Sequence, residues 1–272
     1  MGKLQEEKKT QERNKMGISV NHLKFSYGKH PVLKGIEFQL QEGNLVCVLG
    51  KNGAGKSTLF RCMLGLLTGY QGEIRVEHEN IKDLTQQQMA QKMAYIPQTH
   101  RAVYSFPVRD MILMGTTASL KNFENPGPHQ REMVERAMEQ VKITELADRM
   151  VNELSGGEQQ LVLIARALAQ QTKILVMDEP CSSLDYGNQI RLMQAMKKLA
   201  EEGYLVIQST HNPEHAFLFA NQTLALLEGK VAGLGTPQEV LTEELLERMY
   251  GIPLKLYEVG KENARVCIPK IV

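Results

Sequence analysis

The chain has 272 residues, 42% hydrophobic and 23% charged, with 32 Lys and Arg against 31 Asp and Glu. That balance excludes global disorder, and a formal net charge of +1 gives no overall charge footprint for nucleic acid. No apolar run approaches the roughly 20 residues that span a bilayer, so the chain does not read as a channel. Its four cysteines, at 47, 62, 181 and 267, form no C-x-x-C pair and read as free thiols of a reducing compartment.

Residues 1–16 are polar and rich in Lys and Glu, and read as a flexible extension without the apolar segment of a secretory signal. Ile36, Phe38 and Leu40 then alternate, as a half-buried strand requires. LVCVLG, 45–50, is continuously apolar and predicts a strand buried on both faces. A glycine-rich stretch follows, then a helix over about 56–66. Thr85 stands where it would cap a short helix in QQQMAQKMA, and 92–98 predict a strand running into Pro97. From 108 to 150 the period is helical, broken by a loop at 122–129 that holds two prolines and a glycine. Residues 156–169 are helical again. KILVMDEP, 173–180, predicts a buried strand ending in acids. Over 186–202, Leu192, Ala195, Met196 and Leu199 share one helix face. YLVIQST predicts a strand, TLALLEG with KVAGLG a hairpin, and Thr236-Pro237 a helix start. The C-terminal GIPLKLYEVGKENARVCIP predicts a short hairpin. Strands separated by helices make an α/β core, with the helical block inserted between two core strands.

Two motifs carry chemistry. GKNGAGKST, 50–58, matches G-x-x-x-x-G-K-[ST] in full, between a predicted strand and a predicted helix. Gly50, Gly53 and Gly55 let the backbone wrap with its N–H groups turned inward, alongside Asn52. Lys56 is expected to reach the β- and γ-phosphates, Ser57 to ligate Mg²⁺, and Thr58 to complete the ATP site. LVMDEP sets Asp178 and Glu179 at a strand end. Asp178 would hold Mg²⁺ through its water shell, and Glu179 would polarise an attacking water as general base. His211 ends another strand on the ligand side of an open sheet. Gln98 follows Pro97, and its amide would reach Mg²⁺ or water. Ser155, Gly156, Gly157 and Glu158 open a helix and make a second anion-binding start. A chain that already has one phosphate cradle would use the other on a partner's ATP, which implies a dimer with shared sites.

Together these residues resemble the ATP-binding cassette ATPases over about residues 17–250. The expected fold is a P-loop NTPase cassette, with an inserted helical subdomain over about 99–157 and an antiparallel β subdomain. The cassette domain is expected over 17–260, with a short tail at 261–272. The resemblance also implies that Tyr27 stacks on adenine, that Asp185 belongs to the D-loop, and that His211 is the switch histidine. It implies an ATPase that works with ATP and Mg²⁺ as a homodimer, or beside a closely similar second ATPase. FPVRDMILMG, LDYGNQIRLM and LLERMYGIPL narrow the resemblance to importers of iron–siderophore, haem, cobalamin and related metal complexes. In these, two ATPases sit peripherally on the cytoplasmic face of the membrane under a permease dimer served by a substrate-binding protein. A soluble ATPase of iron–sulfur cluster assembly and an exporter ATPase are the alternatives. Lys51 stands where the family commonly has proline, with no loss expected. Cys181 stands where threonine is usual, and a thiol there is expected to be sensitive to alkylation near the nucleotide.

Overall fold

A computed structural model describes residues 16–98, 106–120, 124–260 and 264–270. The extension assigned to 1–16 lies outside these except for Met16.

The first layer is an antiparallel sheet. β1 (Met16–Tyr27) pairs with β2 (His30–Gln41), and later with β4 (Gln71–Val76), which carries the short β5 (Glu79–Asn80). In β2 the expected alternation holds, with Ile36, Phe38 and Leu40 buried and their neighbours outward. The second layer is a six-stranded sheet. It comprises β3 (Leu45–Leu49), β6 (Met93–Ile96), β7 (Ile174–Met177), β8 (Leu205–Thr210), β9 (Gln222–Leu227) and β10 (Lys230–Gly235), in the order β10-β9-β3-β8-β7-β6. Every neighbouring pair except β9–β10 is parallel.

Side chains of β3 split between two cores, which is why this strand reads as one apolar run. Val46 and Val48 join the core beneath the antiparallel sheet and α1 (Lys56–Met63). Leu45, Cys47 and Leu49 join the core on the opposite face. That second core is closed by α5 (Gly156–Leu168), α6 (Tyr186–Glu201) and the inserted helices α3 (Val108–Leu113) and α4 (Pro128–Val141).

The remaining elements are α2 (Gln86–Lys92), α7 (Pro213–Phe219), α8 (Pro237–Val240), α9 (Glu243–Tyr250) and the hairpin β11 (Leu254–Val259) with β12 (Ala264–Pro269). Thr85 caps α2 through a capping box with Gln88, as expected. The hairpin expected at the C-terminus forms, and the boundary set at 260 falls between its two paired strands.

Two helices are shorter than their periodicity suggests, and a third, of which only the start was expected, is brief. α1 stops at Met63 because Gly65 turns left-handed at φ +67°. Within 108–150, α4 ends at Lys142, which adopts φ +59°, and the chain continues in 3-10 turns. The helix opened by Thr236 lasts one turn, because Thr242 starts a second cap for α9. In each case a local backbone or capping choice overrides the apolar period.

Candidate active site

Parallel strands in register deliver their loops to one edge. Leu49 pairs with Thr210, Met177 with Gln208 and Ile96 with Met177. The chain therefore leaves β3, β8, β7 and β6 side by side, at the end where open α/β sheets bind ligands.

The loop after β3 requires its glycines. A Cβ at Gly50 would lie 2.8 Å from the Leu226 carbonyl oxygen. Gly53 and Gly55 adopt φ of +83° and +104°, which strain any L side chain. α1 begins directly after Gly55 with no side-chain cap and no acid in its first turn. Its first N–H groups thus have no intrahelical acceptor, and its dipole favours an anion. α5 and α6 differ: Ser155 caps α5 and Asp185 caps α6. Lys56 is buried, and its Nζ donates to the Gly50 carbonyl at 2.7 Å. Together with Val32, Gln98 and Glu179, the residues Asn52, Gly53, Gly55, Lys56, Ser57 and Thr58 line a cleft of about 450 Å³. Gly50 supports the loop from beneath.

Asp178 and Glu179 emerge from β7. Asp178 is buried and accepts a 2.6 Å hydrogen bond from Ser209 Oγ. Glu179 adopts φ +46°, and its N–H donates to the same Ser209 Oγ at 2.9 Å. One hydroxyl thus ties the two acids to β8. The Glu179 carboxylate is the hub of the site. Lys56 Nζ lies 3.2 Å away, Gln98 Nε2 donates at 3.3 Å, and His211 Nδ1 lies 3.5 Å away. Three of the four sheet-edge loops therefore converge on the fourth.

Tyr27, at the turn end of the β1–β2 hairpin, packs edge-on against Phe25 and is 44% exposed. It does not line the cleft around Lys56. Ser155 and Gly156 are exposed and also lie outside that cleft, while Gly157 is buried. The Glu158 carboxylate accepts from Ser155 N–H and Oγ at 2.8 and 2.7 Å. The Ser155 hydroxyl beside it, and then its backbone N–H, hold this carboxyl below its usual range. Asp185 accepts from Asn188 N–H at 2.9 Å, and this bond, with the Asn188 amide, lowers its pKa in the same way.

Cys181 corrects an expectation. It is buried, and burial, with Cys47 nearby, pushes its thiol up to about 12, so almost no thiolate exists to be alkylated.

Three residues that the motif reading missed support the site. Ser209 bridges the two acids. Asn188 packs so closely on Gly157 that a Cβ there would lie 2.6 Å from its amide carbon. Gln189 holds the loop before α6 through the Cys181 and Leu184 carbonyls, at 3.2 and 2.9 Å. Only Ser209 carried a signal in the sequence: a polar residue one place from the end of a buried strand.

Residues 33–182 match the model of the ABC transporter family. The chain belongs to that family. An uncharacterized ABC transporter ATP-binding protein of Haemophilus influenzae is 39% identical over 236 residues, covering 86% of this chain and 89% of the relative. The ferric enterobactin transport ATP-binding protein of Escherichia coli is 33% identical over 248 residues, covering 91% and 92%. A chain from an inward-facing structure described as a metal-chelate type ABC transporter superposes with TM-score 0.84 at 30% identity. That match covers 94% of this chain and 98% of the other. This ABC chain is therefore an ATP-binding and ATP-hydrolysing transporter subunit.

The site fits its expected cofactor. Among the described residues, no group of three or more His, Cys, Asp or Glu is placed to hold a metal alone. Mg²⁺ commonly binds through one or two protein oxygens and shares the rest with phosphates and water, and Ser57 and Asp178 can supply that part.

Proposed function

We propose that the chain energises an importer of a metal complex: an iron–siderophore, haem, cobalamin or related chelate. The observation that carries this reading is the near end-to-end superposition on the metal-chelate transporter chain. The ferric enterobactin name of the Escherichia coli relative supports it.

In this reading the uncapped start of α1 and Lys56 bind the nucleotide phosphates, and the exposed Tyr27 ring stacks on adenine. Mg²⁺, bound through Ser57 and the Asp178 shell, neutralises phosphate charge. Glu179 orients water for in-line attack and accepts its proton. Gln98 and His211 hold that carboxylate from either side. Ser155 to Gly157 receive the ATP of a second copy, because Ser155 and Gly156 are exposed and stand apart from the cleft. Glu158 acts there by keeping the helix start capped. Two chains would sit at the cytoplasmic face of the membrane beneath a permease dimer served by a substrate-binding protein. No described helix is long and apolar enough to cross a membrane. A groove of about 620 Å³ between α2 and the inserted segment, lined in part by Gln87, Met114 and Arg166, is where we seat the permease.

Two measurements test the proposal. Glu179→Gln should lower turnover at least about 100-fold while ATP binding persists, the size expected of a general base. Near-normal turnover would refute that role. Purification from membranes should bring a polytopic permease whose uptake of a chelated metal depends on Lys56. A stable complex with a soluble scaffold would refute the importer reading.

A further inference from the structure

The C-terminal elements reach the catalytic loop from behind. α9 buries Leu245, Leu246 and Met249, and Gly251, at φ +73°, ends it directly after Tyr250. Glu243 and Glu247, one turn apart, accept the backbone N–H groups of Leu256 and Leu254 at 2.9 and 3.1 Å. Those bonds fasten the hairpin to α9. β12 in turn packs on α7, the helix that starts two residues after His211.

Between these contacts lies one specific bond. The Tyr250 hydroxyl donates to the His211 carbonyl oxygen at 2.8 Å. That carbonyl sits at an elbow, since β8 ends at Thr210 and α7 begins at Pro213. Neither a strand ladder nor a helix is there to hold it, and no other described donor reaches it. His211 is thus gripped at two points: its carbonyl by Tyr250, and its ring 3.5 Å from the Glu179 carboxylate.

We propose that Tyr250 is a positioning residue for ATP hydrolysis, fixing the peptide plane after His211 and with it the direction from which the imidazole meets Glu179. Burial raises the Tyr250 hydroxyl above its ordinary range, so it remains a donor at every working pH. The contact also gives the C-terminal hairpin a purpose. Fastened to α9 on one side and α7 on the other, it braces both neighbours of the His211 elbow. Misplacing a catalytic group by about 1 Å can cost about 100-fold. Loss of one neutral hydrogen bond, with its ring still packed, costs less.

This inference rests on the reading that His211 assists Glu179, so both residues are tested in the full-length chain. Tyr250→Phe keeps the ring and its packing. We expect its kcat for ATP to fall about three- to tenfold, the worth of one hydrogen bond, with KM for ATP within about twofold of the wild type. The His211 ring resonance should shift, while those of the distant His30 and His129 stay in place. A role confined to packing would lower the melting temperature and leave kcat per folded molecule intact, which overturns the proposal. So does an unmoved His211 resonance. His211→Ala separates the two layers. If it loses turnover while Tyr250→Phe does not, the Tyr250 proposal alone fails. If His211→Ala turns over normally, the underlying role of His211 fails first.

Discussion

Replacing Ser209 with alanine removes one oxygen that serves both acids of the site. In the native chain that oxygen donates to Asp178 at 2.6 Å and accepts from Glu179 N–H at 2.9 Å, in a position only 1% exposed. The bond to the carboxylate is worth about 1.5–3 kcal/mol and the bond from the amide about 0.5–1.5 kcal/mol. Glu179, a non-glycine residue at φ +46°, carries about 1–3 kcal/mol of backbone strain, and its partial relaxation offsets some of that loss. Ser209→Ala should therefore destabilise the nucleotide-free chain by about 2–4 kcal/mol. For a chain of this size that lowers the melting temperature by about 4–15 °C. The same variant should need more Mg²⁺ for half-maximal ATPase activity and should lose at least about tenfold in kcat, because both acids lose their register. Thermal melts and ATPase titrations with Mg²⁺ read both effects. A melting temperature within about 1 °C of wild type together with unchanged kcat would show that Ser209 does not hold the pair.

Three other perturbations have defined outcomes. In Gly157→Ala the new methyl meets the Asn188 amide, costing about 1–3 kcal/mol and loosening Asp185; ATPase activity that depends on a second copy should drop, and full activity would place the strain elsewhere. Glu158 has a lowered pKa, so its cap contributes stability above the ordinary value of about 4.3, and that contribution disappears as the pH falls through the lower folded value. Melts at pH 5 and pH 3 should therefore differ more for the wild type than for Glu158→Gln; equal differences would count against the cap. Cys181 should label slowly with a maleimide at pH 7 in the native chain and rapidly after denaturation, and fast native labelling would contradict its burial.

The parts of the site legible in the sequence are those whose chemistry needs contiguous residues. Gly53, Gly55 and Lys56 must be neighbours because one loop wraps one phosphate, so their spacing survives as a pattern. Asp178 and Glu179 share a strand end for the same reason. The partners of the supports were not legible, even for Ser209, whose place near a strand end was. Ser209 is 31 residues from Asp178 and meets it only because β7 and β8 are adjacent. Tyr250 is 39 residues from His211 and reaches it across a helix and a hairpin. Strand identities were clear where burial is two-sided, as in β3, whereas helix ends were not. Lys142 and Thr242 decide those ends through single dihedrals and caps that an apolar period does not register.

The position of Lys56 adds a last step. Its ammonium is shared between the Gly50 carbonyl and the Glu179 carboxylate, with both side chains largely removed from water. Breaking such a buried pair without replacement costs about 3–5 kcal/mol, so Lys56 holds Glu179 in place. Phosphate oxygens entering the cleft offer Lys56 a stronger partner within the same loop. Glu179 then keeps Gln98 Nε2 at 3.3 Å and His211 Nδ1 at 3.5 Å. One of these precedes the inserted helices and the other is braced by the C-terminal elements. In the proposed mechanism, freeing Glu179 follows occupancy of the cleft, and the two segments that flank the core orient its carboxylate. In the proposed importer, turnover would depend on both flanking segments being in place, one of them the segment we seat against the permease.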